Sequence, residues 1–130
     1  MSYKSKDNVL YELMSSQVDY TKYIFEFLIT NKSDKKEIPS LTLYTRFPDE
    51  EITSLKEYST DEINPQERAI LRIEFDLLFY GSMDDYNPDS DTFMRSYLNP
   101  GIYEFYIGDD SNMELIYRFS YDTKIVFKDN

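Results

Sequence analysis

The sequence predicts an all-β chain folded as an antiparallel β-sandwich of about seven strands. Three observations carry that reading. Apolar side chains recur at every second residue, most clearly at Tyr23, Phe25, Phe27 and Ile29, and again at Ala69, Leu71, Ile73, Phe75, Leu77 and Phe79. Aromatic residues make up 17% of the chain, with 13 Tyr and 9 Phe, and these suit a pleated, half-buried surface. Short turn signals join the alternating stretches without the spacing of βαβ units, and the long connection over residues 80–100 favours a Greek key over a meander.

Residues 1–8 are polar and are expected to form a loose N-terminal segment. Val9 to Met14 fits two periods. Val9, Tyr11 and Leu13 suit a strand, whereas Leu10, Leu13 and Met14 suit a helical turn capped by Asn8, and the strand is preferred because its neighbours are strands. The strand from Tyr23 to Ile29 has one core face, and Ile24 and Leu28 leave the other partly covered. Asn31 to Glu37 brings turn formers and charge without a large apolar side chain, and so reads as a loop. Leu41, Leu43, Thr45 and Phe47 then alternate with polar neighbours in a half-buried strand. Pro39 stands at its entrance, where a missing N–H suits a strand start or an edge.

A turn over Pro48 to Glu51 leads to a weaker strand, Ile52 to Ser59, with Lys56 and Glu57 exposed. A second turn, built on Pro65, opens the longest alternation, Ala69 to Phe79. At roughly 3.3 Å per residue it would span about 35 Å, so a bulge or bend is expected near Asp76 and Leu78. After the polar stretch Gly81 to Thr92, a short helical turn is expected near residues 92–98, capped by Asp91 or Thr92. Asn99-Pro100-Gly101 is a turn. A hairpin about Gly108 to Asn112 then joins Tyr103, Phe105 and Ile107 to Leu115, Tyr117, Phe119 and Tyr121. Ile125 to Phe127 reads as a short last strand or a continuation.

At 130 residues the chain has the size of one domain, expected to span 1–130. It has no Cys and no His. Disulfides, thiolate metal sites, and Ser–His or Cys–His nucleophilic pairs are therefore excluded within it. No phosphate-cradling glycine motif or nucleophile elbow occurs, and no particular pair of carboxylates is marked out, so no enzyme and no cofactor is expected. No apolar run approaches the roughly 20 residues that span a bilayer. Taken as a complete chain it is expected in the cytoplasm. With 14 basic and 25 acidic residues the net charge is −11, which disfavours nucleic acid and anionic membranes and favours a protein partner with a basic surface.

The sharpest polar constellation is Asp84-Asp85-Tyr86-Asn87-Pro88-Asp89-Ser90-Asp91. Asp85, Asn87, Asp89 and Asp91 alternate like the first ligands of a calcium loop, but Ser90 stands where the sharp turn needs Gly and Ser96 where a bidentate Glu belongs. A solvated acidic loop is the better reading. Asp84, Asp85, Tyr86, Asp89 and Asp91, with Asp109 and Asp110 on a neighbouring turn, are the candidate partner-binding residues: carboxylates steer association and Tyr supplies rigid contact area. Tyr44 and Tyr58 fall outside the inward sets and divide evenly between surface and core.

The order of turn motifs also resembles a family pattern. Ile29-Thr30-Asn31-Lys32-Ser33 closes one strand, Ile63-Asn64-Pro65-Gln66-Glu67 precedes another, and Leu98-Asn99-Pro100-Gly101-Ile102-Tyr103 opens a third. Over residues 20–107 this resembles small bacterial immunoglobulin-like β-sandwich domains of the intracellular proteinase inhibitor type, with Gln66 where that pattern has Gly. The resemblance implies an antiparallel immunoglobulin-like β-sandwich and transfers no inhibitory loop. The expected function is a non-catalytic protein-binding module: a small acidic intracellular inhibitor, immunity or anti-defence protein that occupies a basic site. The alternatives are an accessory domain in a larger assembly or homo-oligomer, and a calcium-dependent ligand-binding module.

Overall fold

The computed structural model describes residues 2–78, 97–109 and 111–126. These residues hold ten strands and no helix: β1 (Ser2–Lys4), β2 (Val9–Asp19), β3 (Lys22–Asn31), β4 (Ser40–Arg46), β5 (Ile52–Ser59), β6 (Arg68–Asp76), β7 (Tyr97–Leu98), β8 (Gly101–Asp109), β9 (Asn112–Tyr121) and β10 (Ile125–Val126). They form two four-stranded antiparallel sheets, in the orders β1-β2-β3-β6 and β5-β4-β8-β9, and a separate pair of β7 with β10. Seven of the strands are seven residues or longer, as the alternation predicts.

The sheets pack face to face through aromatic rings. Tyr23 and Phe25 on β3 lie 4.6 and 5.8 Å from Phe105 on β8, centroid to centroid, and Phe75 on β6 lies 5.7 Å from the same ring. Period two puts Tyr23, Phe25, Phe27 and Ile29 on one face of β3, and all four are completely buried. Beneath them the Tyr23 hydroxyl is 2.9 Å from that of Tyr121, whose single proton goes to the backbone carbonyl of Tyr20, so Tyr23 is the donor of the pair.

The connectivity is that of an immunoglobulin-like sandwich, with β2, β3 and β6 facing β4, β8 and β9. It departs from the constant-type arrangement in one strand: β5 pairs with β4, where that arrangement would place a strand beside β6. A tyrosine corner closes the crossing from β6 to β8, since the Tyr103 hydroxyl donates to the carbonyl of Asn99 at 2.7 Å.

Several expectations need correction. Residues 2–4 are not loose: β1 pairs with β2, and Tyr3 is buried against Tyr11. The long alternation does bend where a bulge or bend is expected, ending at Asp76 in a turn over Leu77 and Leu78: the Asp76 carboxylate accepts from the Leu78 N–H while Leu77 donates to the Thr21 carbonyl. At the end of the expected helical turn, Tyr97 and Leu98 form β7, and residues 92–96 lie outside the described residues. Real bulges sit elsewhere, at Met14 in β2, Leu55 in β5 and Ile116 in β9. Tyr44 is buried, and Tyr58 packs against the core.

Candidate functional site

Of the expected partner-binding residues, Asp84, Asp85, Tyr86, Asp89, Asp91 and Asp110 lie outside the described residues, as do the calcium candidates Asp85, Asn87, Asp89 and Asp91. Asp109 is described, and it is a turn former. Its Oδ1 accepts from the Ser111 hydroxyl at 2.7 Å and from the Ser111 and Asn112 amides, each at 2.9 Å, closing the β8–β9 hairpin. The Ser111 hydroxyl, followed by these amides, holds the carboxyl below its ordinary value. Gly108 beside it has φ +139°, and a Cβ there would lie 2.1 Å from the Asn112 carbonyl oxygen, so the turn accepts only glycine.

The described residues bring together a different charged group on the outer face of the second sheet. Strand register sets Arg46 on β4 and Arg118 on β9 on either side of Glu104 on β8. Arg118 Nε donates to Glu104 Oε2 at 2.8 Å, and an Arg46 nitrogen lies 3.7 Å from Oε1. The hydrogen bond from Arg118 is the largest cause that holds the Glu104 carboxyl below its ordinary value. Next to this row a shallow cavity of about 580 Å³ is lined by Pro48, Pro100 and Ile102, the last of them 59% exposed. Asp49 also lines this cavity, so two guanidiniums and two carboxylates meet there and their formal charges balance. Positions 46, 104 and 118 give no local pattern in the sequence, and only the pairing of three strands unites them.

Among the described residues no three acidic side chains converge as metal ligands, and no helix is long and apolar enough to cross a membrane. The motifs shared with the immunoglobulin-like pattern serve as fasteners. Asn31 Nδ2 donates to the carbonyls of Lys35 and Ile63, its Oδ1 accepts from the amide and hydroxyl of Ser33, and the Gln66 amide donates to the Asn31 carbonyl. Gln66 takes φ +64°, a conformation natural to Gly, which accounts for the pattern's usual residue there.

No protein-family model matches the chain, and no curated protein does. Solved structures do. A β-glucosidase from Kluyveromyces marxianus in complex with glucose aligns with a TM-score of 0.70 at 12% identity, over 94% of this chain and 15% of its own. β-Glucosidase 3B from Thermotoga neapolitana in complex with glucose gives 0.70 at 18%, over 95% and 17%, and a β-glucosidase from Listeria innocua in complex with glucose gives 0.63 at 12%, over 90% and 16%. At such identities the likeness is one of fold. The chain corresponds to about one sixth of each enzyme's length. These neighbours overturn the resemblance to the intracellular proteinase inhibitor type: the motifs behind it are turn chemistry that any sandwich of this connectivity can use.

Proposed function

We propose that this chain is a non-catalytic protein-binding module that works docked to a larger protein. One observation carries the reading: nearly the whole chain aligns with a sandwich that makes up only 15–17% of much larger β-glucosidases. A fold used as a small part of large chains supports an accessory role over that of a free-standing inhibitor, immunity or anti-defence protein. The charge of −11 supports a partner with a basic surface, approached by electrostatic steering. Copurification from cells that express the chain tests this. A protein partner should be retained at low ionic strength and released as salt shortens the Debye length from about 10 Å at 0.1 M towards about 3 Å at 1 M. Absence of a protein partner refutes docking, and retention indifferent to salt refutes the electrostatic mode.

A further inference from the structure

Among the described residues the two sheets present four edges, β1 and β6 on the first and β5 and β9 on the second. Sandwiches normally blunt such edges with short strands, bulges or charge, because unpaired backbone groups invite another strand. β1 has three residues, β5 carries the Leu55 bulge and Lys56, and β9 carries the Ile116 bulge and Arg118. β6 has neither shortness nor a bulge and is guarded by charge alone, at Arg68, Arg72, Glu74 and Asp76. It runs nine residues in unbroken register with β3, without Pro, Gly or Lys, and Ile70 within it is 61% exposed. It is also the edge from which β5 is missing, and a cleft of about 460 Å³ lies along its first half, against Thr60 to Ile63.

The sequence of this edge is complementary to itself. A two-fold axis through Leu71 sets Arg68 of each copy opposite Glu74 of the other, twice over, with Ala69 opposite Ile73 and Ile70 against the stem of Arg72. Moving the axis one residue weakens this. At Ile70 it sets Arg68 against Arg72, and at Arg72 it keeps an opposite-charge pair, Arg68 with Asp76, but sets the Arg72 guanidinium against its own mate and Ile70 opposite Glu74. Facing residues in an antiparallel pair share a face, so the core row and the outer row both continue across the seam.

We infer that β6 is the seam of a two-fold homodimer, in which a second copy of this chain adds its β6 antiparallel to the first and extends the sheet from four strands to eight. The second copy occupies the place left vacant by β5, and paired strands replace an edge open to any extended segment. The dimer does not depend on the proposed partner protein and is measured without it.

Sedimentation equilibrium of the purified chain, run over a concentration series, should show a reversible monomer–dimer equilibrium. Arg68→Glu and Glu74→Arg should each weaken it by about tenfold or more, since each sets like charges opposite one another at two symmetry-related places. Mixing the two variants should restore association as a heterodimer, because every 68–74 contact is again between opposite charges. Both positions are exposed, so melting curves should show the variants folded. A wild-type chain that stays monomeric at about 0.1 mM, which excludes dissociation constants tighter than that range, overturns the proposal. So does a dimer that survives both substitutions, or a mixture that fails to associate.

Discussion

Asn31 has no exposed surface, and both ends of its amide are directed at neighbouring backbone and Ser33. That arrangement ties the β3–β4 turn to the Pro65 turn, which belong to distant parts of the sequence. Asn31→Asp keeps the shape but turns a donor into an acceptor against the carbonyls of Lys35 and Ile63. We expect it to cost about 3 kcal/mol, read from the denaturant midpoint, because buried groups are left without partners. Tyr58 shows the opposite case. Its hydroxyl is buried with no hydrogen-bond partner among the described residues, and burial alone pushes its ionisation up. Tyr58→Phe removes a desolvated hydroxyl and should raise stability by about 1 kcal/mol in the same assay. A loss of stability there would mean that the hydroxyl has a partner in solution, such as an ordered water.

At the scale of elements, the long strands were readable because period two survives along most of their length. The bulges at Met14, Leu55 and Ile116 were not, since an inserted residue shifts the alternation without a composition signal of its own. In β9 the bulge makes Ile116 a buried residue, although the alternation pointed to Leu115. β1, β7 and β10 have two or three residues, too few for any period. The choice of β5 between two sheets is a tertiary matter that its own residues do not encode. The site was less readable still. The acidic run was visible as composition, the hydrogen bonds of Asp109 across the hairpin turn were not, and the Arg46–Glu104–Arg118 row exists only through register. The β8–β9 hairpin offers a sharp test of local geometry. Gly108→Ala should destabilise by about 2–4 kcal/mol in thermal or chemical unfolding, because a Cβ would meet backbone and not a yielding side chain.

At the scale of the whole molecule, the core of aliphatic side chains and phenylalanines also encloses the phenols of Tyr3, Tyr11, Tyr23, Tyr103 and Tyr121. Tyr11, Tyr23 and Tyr121 are raised above their ordinary 10.0, each mainly by burial. A raised folded-state value means that the unfolded chain releases these protons first. Their contribution to stability is whole below pH 10 and is lost as pH rises beyond it. Melting temperature should therefore fall steeply on the alkaline side. Ultraviolet titration should show one set of tyrosines ionising normally and a second set ionising together with loss of structure; a single unbroken titration of all of them would contradict the buried assignment.

The hydroxyl pair of Tyr23 and Tyr121 has a further consequence, one of time. It joins residues 98 positions apart, and Phe25 on the same face needs Phe105 and Tyr117 from the same late hairpin. At a synthesis rate of roughly 5–20 residues per second, β3 leaves the ribosome several seconds before the strands that cover it. Its aromatic face must wait in the open, and folding belongs to the slow regime of non-local β pairing, on the order of milliseconds to seconds once the chain is complete. During synthesis this protein therefore spends its most vulnerable interval as a half-sandwich, with a greasy sheet exposed to chaperones and to its own neighbours on the same message.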